Sequence, residues 1–162
     1  MPFRTDVPSL IEILVDSQIE FIIVGGIAAV IQGVPLTTFD LDIVHKRDSE
    51  NVRRIIQLLT KLNGRFRGHP VGKDLIPKED AFLGPGHQLM QTDLGALDFL
   101  GVIEQNLGYE DLMDSVVEIE LRGRRIKLLA LEKIARLKSD SPREKDRLLL
   151  EMIKRVLKEA QK

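Results

Sequence analysis

Residues 20–44 carry the pattern that most narrows what this chain can fold into. A short apolar, β-branched run, Phe21-Ile22-Ile23-Val24, is stopped by Gly25 and Gly26, which predicts a buried strand entering a tight turn. Residues 27–31 then begin a helix that Gly33 and Pro35 terminate. Over residues 37–44, Thr38, Asp40 and Asp42 fall on one face while Phe39, Leu41 and Ile43 fall on the other, the alternation of a half-buried strand with an acidic outer face. A chain of 162 residues fits one ordinary domain, or one domain with a short helical appendage.

The rest of the chain supplies helical cover and further strands. Behind a Ser9/Glu12 capping box, Leu10, Ile11, Leu14 and Val15 recur at helical spacing and predict a first helix reaching Gln18. Asp48 or Ser49 caps another helix, with Val52, Ile55, Ile56, Leu59 and Leu62 inward and an end at Asn63 and Gly64. Residues 65–68 read as a strand. Residues 69–86, rich in Pro and Gly, read as a loop suited to a substrate-facing flap, with His69 and His87 both in loops. Residues 97–102 predict a strand that sets Asp98 among Leu97, Phe99 and Leu100, and residues 116–121 and 125–128 predict two more strands about the turn Arg122-Gly123-Arg124. Two helices close the chain, the second with Ser141 as cap, Pro142 at its first position and Glu144 completing the box. This divides the chain into an α/β core, 1–128, and a C-terminal helical segment, 129–162, packed on it. The apolar stripes of the closing helices serve as core or as a homodimer face.

Composition excludes several chemistries. Cysteine is absent, which removes disulfide frameworks, thiolate metal sites and cysteine nucleophiles, and three histidines do not make a polyhistidine metal centre. No apolar run approaches the roughly 20 residues that span a bilayer, and no signal segment follows the N-terminus, so a cytoplasmic protein is expected. The net charge of -1 hides an asymmetry: residues 1–121 carry 10 basic and 19 acidic side chains, residues 122–162 carry 14 and 6. Such a basic segment either meets a polyanion or is complemented within the fold.

Gly25 and Gly26 after a strand, followed by Asp40-Leu41-Asp42, form the constellation that carries chemistry. Carboxylates at i and i+2 on a strand project from one side, roughly 6.5–7 Å apart at the backbone, close enough to bracket divalent ions. Hard oxygen ligands point to Mg²⁺, which combines one or two carboxylates with substrate phosphates. Glycines let backbone N–H groups approach phosphate oxygens closely, and the following helix turns its positive dipole end to the same place. Asp98, costly to bury without a partner or a metal, is the candidate third carboxylate.

The order Gly25-Gly26, Thr38, Asp40, Asp42 and later Asp98 resembles the DNA polymerase β-type nucleotidyltransferase superfamily, especially small prokaryotic members similar to abortive-infection-type toxins. The closing helices, with Lys138, Arg143, Lys145 and Asp146, resemble that group's C-terminal helical segment. What the resemblance implies is a mixed β-sheet flanked by helices and a Mg²⁺-dependent (or Mn²⁺-dependent) transfer of a nucleoside monophosphate from a nucleoside triphosphate such as ATP to a hydroxyl on RNA (tRNA) or protein. A toxin of this kind has a cognate antitoxin as partner. By the same resemblance Asp40, Asp42 and Asp98 hold the metals, with Asp98 also helping to deprotonate the acceptor. Gly25 and Gly26 cradle the triphosphate beside Thr38, and Lys138, Arg143 and Lys145 neutralise phosphate charge.

One position departs from the pattern. Small members often carry an arginine two residues before the threonine, and Leu36 stands there, so the cationic contact is missing or comes from elsewhere, with Lys46, Lys73 or Lys133 as candidates. The same departure fits a catalytically silent module that binds a nucleotide or a partner on the same fold. Gly68 to Asp74 fails as a phosphate-binding loop, because the glycines stand one residue too close and Asp74 replaces the required Ser or Thr. His45, at the end of the acidic strand, is expected to be exposed.

Overall fold

A computed structural model describes residues 4–68 and 76–161, so most of the first half of the expected flap, with His69 and Lys73, lies outside the described residues. The first helix, α1 (Val7–Asp16), starts earlier than the Ser9 box predicts. Asp6 is its cap, accepting the Ser9 amide at 3.1 Å and the Ser9 hydroxyl at 2.8 Å, and Pro8 in the first turn has no N–H to leave unsatisfied.

Strand β1 (Phe21–Val24) is buried at every residue. Gly25 has φ +68°, so the chain turns at once into α2 (Gly25–Ile31), which begins at the glycines and not at Ile27. Strand β2 (Leu41–His45) is shorter than the alternation predicts. Its antiparallel partner β1 ends at Val24, opposite Asp42, and nothing on that side continues the ladder toward residue 37. Phe39, expected inward, is consequently 67% exposed.

Helix α3 (Ser49–Lys61) follows, and of the two candidate caps it is Asp48 that serves, accepting the Asn51 amide. The remaining strands are β3 (Arg65–Phe66), β4 (His87–Thr92), β5 (Gly95–Leu100), β6 (Val116–Leu121) and β7 (Arg124–Leu129). Among the described residues seven strands form one mixed sheet in the order β3-β4-β5-β2-β1-β7-β6, with β2–β5 and β1–β7 parallel and the other neighbours antiparallel. The run His87-Gln88-Leu89-Met90-Gln91-Thr92 gave no strand signal because one of its faces is polar or open. It is nonetheless held as a strand by its hairpin with β5.

The region read as loop also contains a short helix, α4 (Glu79–Leu83), whose Phe82 is fully buried. Phe82 meets Phe99 and His45 edge to face, at centroid distances of 5.3 and 6.0 Å. His45 is therefore buried, contrary to expectation, with its Nε2 2.8 Å from the Phe82 carbonyl. Burial holds its imidazole below the usual histidine range. After α5 (Tyr109–Leu112), helices α6 (Leu131–Lys138) and α7 (Glu144–Ala160) close the chain and pack on each other, α6 also touching α2. The N-cap of α7 is Arg143. Ser141 closes the turn before it, accepting the Arg143 amide at 3.3 Å and donating to Asp146 at 2.6 Å.

Part of the basic C-terminal excess is complemented within the fold. Arg124 pairs with Asp16 and Glu12 of α1, and Arg122 with Glu12, each at 2.8 Å. No helix among the described residues is long and apolar enough to cross a membrane.

Asn51, 1% exposed on α3, clamps one end of the β1–β2 pair, where β1 begins and β2 ends. Its Oδ1 accepts the Glu20 amide at 2.8 Å, and its Nδ2 donates to the carbonyls of Glu20 at 3.1 Å and Lys46 at 2.8 Å. Asn51→Ala removes the side-chain partner of the Glu20 amide and the Lys46 carbonyl at this part-buried end and is expected to cost about 1–3 kcal/mol, read from the denaturant midpoint.

Candidate functional site

Parallel strands β2 and β5 pair in the register Leu41↔Leu97, Asp42↔Asp98, Ile43↔Phe99. Because side chains alternate with period two, this register sends both aspartates to one face while Leu41, Ile43, Leu97 and Phe99 go to the apolar side. Adjacent strands lie about 4.8 Å apart, so the two carboxylates are immediate neighbours. Asp98 is 5% exposed. The Asp42 carboxyl is pushed up to about 7, chiefly by burial, then by its hydrogen bond to Asp98 and the charges of Asp98 and Asp40, with Lys145 opposing. Without a cation Asp42 therefore keeps its proton up to about neutral pH.

The glycine turn abuts this pair. A Cβ on Gly25 would lie 2.9 Å from Asp42 Oδ2, and one on Gly26 would lie 3.1 Å from Thr38 Oγ1 and 3.4 Å from Leu36 Cδ2. Gly25, Gly26, Thr38, Asp42 and Asp98 thus come together as the sequence suggests. Asp40 precedes β2 and is not on its ladder. Its side chain is 49% exposed, and its Oδ2 lies 3.7 Å from Arg67.

Arg67 is the residue that sequence reasoning missed. Its Nη1 lies 2.7 Å from Asp98 Oδ1, without the alignment of a hydrogen bond, and its Nη2 donates to Asp98 Oδ2 at 3.0 Å. Nη1 also donates to the Met90 carbonyl at 2.8 Å. Of the cations considered in place of an arginine at Leu36, Lys46 pairs with Glu20 and Asp48 beyond the far end of β2, Lys73 lies outside the described residues and Lys133 is on α6. No local pattern marks Arg67, since its partner is 31 residues away.

Over the carboxylates opens a cleft of ≈ 560 Å³, lined on the sheet side by Asp42, Leu89 and Asp98 and across from them by Lys138, Ser141 and Arg143. Lys138 is engaged within the fold, 2.6 Å from Glu104 and 3.6 Å from Asp146. Arg143 lines the opening, and the charge of Lys145 reaches Asp42.

Among the described residues no three His, Cys, Asp or Glu side chains converge to cage a metal. The Asp42–Asp98 pair nevertheless fits Mg²⁺, which takes one or two protein carboxylates and fills its shell with water and phosphate oxygens. The proton that Asp42 holds beside Asp98 is what a cation would replace.

Two outcomes follow from this geometry. Asp42 has its carboxyl raised in the fold, so between about pH 4 and pH 7 the native state holds a proton the unfolded chain has released, and stability falls as pH rises through that window. In chelator, Asp42→Asn should remove that fall and melt higher than the unsubstituted chain above pH 7, by no more than about 4 kcal/mol, while the two converge near pH 4. Gly25→Ala combines a left-handed backbone with the close approach to Asp42 and should cost about 1–2 kcal/mol in thermal unfolding.

No family model matches the chain, and no curated protein does. Among solved structures, the chain is similar to the lincosamide antibiotic adenylyltransferase LnuA in its lincomycin-bound form, at 15% identity and a TM-score of 0.62, over 94% of this chain and 98% of that one. A Thermotoga maritima protein described as a candidate nucleotidyltransferase aligns at 16% identity and a TM-score of 0.47, over 80% and 83% of the two chains. The first likeness establishes the fold: a nucleotidyltransferase-like mixed sheet flanked by helices.

Proposed function

We propose that the protein is a nucleotidyltransferase, moving a nucleoside monophosphate from a nucleoside triphosphate to an acceptor hydroxyl and releasing pyrophosphate. The observation that carries this reading is the in-register Asp42–Asp98 pair beside the Gly25 turn, on a nucleotidyltransferase-like fold. Asp42 and Asp98, with Asp40 at their edge, would hold Mg²⁺ or Mn²⁺, which when bound supplies charge neutralisation at the phosphate oxygens. The backbone of Gly25 and Gly26 and the hydroxyl of Thr38 orient the triphosphate. Arg143 and Lys145 add positive charge from the α7 side, whereas Lys138, held by Glu104 and Asp146, braces the wall of the cleft. Asp98 takes the acceptor's proton at a carboxylate oxygen as the acceptor oxygen bonds to the α-phosphorus and the bond to pyrophosphate breaks. Catalysis of this kind is mostly positioning and charge neutralisation, so no nucleophilic side chain is needed.

The narrower form of the reading is a toxin acting on RNA or protein and neutralised by a cognate antitoxin, with a homodimer built on the closing helices. The grip of Arg67 on Asp98, together with Leu36, favours a second reading in which the fold binds a nucleotide or a partner without turnover.

Incubation with each α-labelled nucleoside triphosphate, Mg²⁺ or Mn²⁺, and cellular RNA, cellular protein or a lincosamide as acceptor decides between them. Transfer to an acceptor is expected, and Asp42→Asn or Asp98→Asn should lower it at least about 100-fold with the fold retained by circular dichroism. Nucleotide binding without transfer to any acceptor class would favour the silent module, and full turnover in Asp42→Asn would overturn the assignment.

A further inference from the structure

We propose that Arg67 is a built-in counter-ion of the carboxylate pair: it holds Asp98 until a divalent cation displaces it, and so sets how tightly the site takes that cation. The inference rests on the reading of Asp42 and Asp98 as cation ligands and adds a residue with no part in the resemblance. Three observations carry it. Both oxygens of Asp98 face the guanidinium, Oδ2 accepting a hydrogen bond at 3.0 Å and Oδ1 in ion-pair contact at 2.7 Å, so the cation and Arg67 compete for the same carboxylate. Arg67 has somewhere to go: its Nη2 is already 3.7 Å from Asp40, whose side chain is 49% exposed against 7% for Asp98. Nη1 is tethered, donating to the Met90 carbonyl on β4 at 2.8 Å, so the guanidinium stays at the site while Nη2 gives up Asp98 Oδ2 by a short shift toward Asp40. An arginine does not give up its charge, so relief of its repulsion with an incoming cation has to come from movement. Arg67 is in this sense a positioning residue, acting through Asp98.

The test is Mn²⁺ binding to the full chain at pH 8 without nucleotide, followed by the electron paramagnetic resonance of free Mn²⁺. Arg67→Gln should bind Mn²⁺ at least about tenfold more tightly than the unsubstituted protein. Arg67→Lys keeps the charge without the two-pronged grip and should fall between them, about threefold tighter. A merely structural ion pair predicts the reverse, with both variants binding more weakly as Asp98 loses its place. Should Arg67→Gln fail to fold, the direction of the Arg67→Lys change still decides. Equal or weaker binding in the Arg67 variants, with Mn²⁺ binding lost in Asp42→Asn and Asp98→Asn, overturns the counter-ion role and leaves the functional reading standing. Mn²⁺ binding indifferent to Asp42→Asn and Asp98→Asn, or absent from every form including Arg67→Gln, overturns both.

Discussion

Two carboxylates in the middle of a sheet repel one another, and the parallel ladder between β2 and β5 holds Asp42 and Asp98 side by side against that repulsion. The ladder is in turn secured from the opposite face, where Ile43, His45 and Phe99 pack with Phe82 in the core. A charge-bearing face that is unfavourable by itself persists because the apolar face of the same strands is well buried. The proton retained by Asp42 and the guanidinium gripping Asp98 are two answers to the same problem, one for each carboxylate.

What could be read in the sequence follows the range of the interactions involved. The Gly25-Gly26 turn, the strand before it, the α3 cap at Asp48 and the lone acidic position in an apolar strand at Asp98 are local patterns, and each is where the residues suggest. The errors lie where a neighbour distant in the chain decides. Phe39 looked like a core residue because the alternation around it was regular, but β1 turns away before reaching it. His45 looked like a strand-end residue facing water, but a helix inside an apparent loop brings Phe82 over it. Ser141 stands in good capping sequence, yet Asp146 draws its hydroxyl and α7 begins later. Within the site the glycines, Thr38, Asp42 and Asp98 were legible. Arg67 was not, because it follows a two-residue strand and its role exists only once β3, β4 and β5 are aligned.

The charge asymmetry along the chain has a comparable resolution. Arg122 and Arg124 spend their charge on α1, tying the β6–β7 turn to the N-terminal helix, and Lys138 spends its own on Glu104 and Asp146. The basic C-terminal segment therefore does not translate into a uniformly basic surface. Around the cleft, Arg143 and Lys145 are placed individually and do not form a continuous basic stripe with Arg122 and Arg124.

The register of β5 against β2 also bears on how the chain avoids misfolding. Strand pairing tolerates sliding when both faces of a strand are alike, and β5 is apolar at nearly every position, which would ordinarily leave its alignment loosely specified. A slip by one residue would drive Asp98 into the packed layer around Phe82 and bring Phe99 out beside Asp42. Arg67, just past the edge strand β3, would then face a hydrocarbon ring. The acidic side chain that lines the cleft is thus also the mark that tells an otherwise featureless strand which way to face.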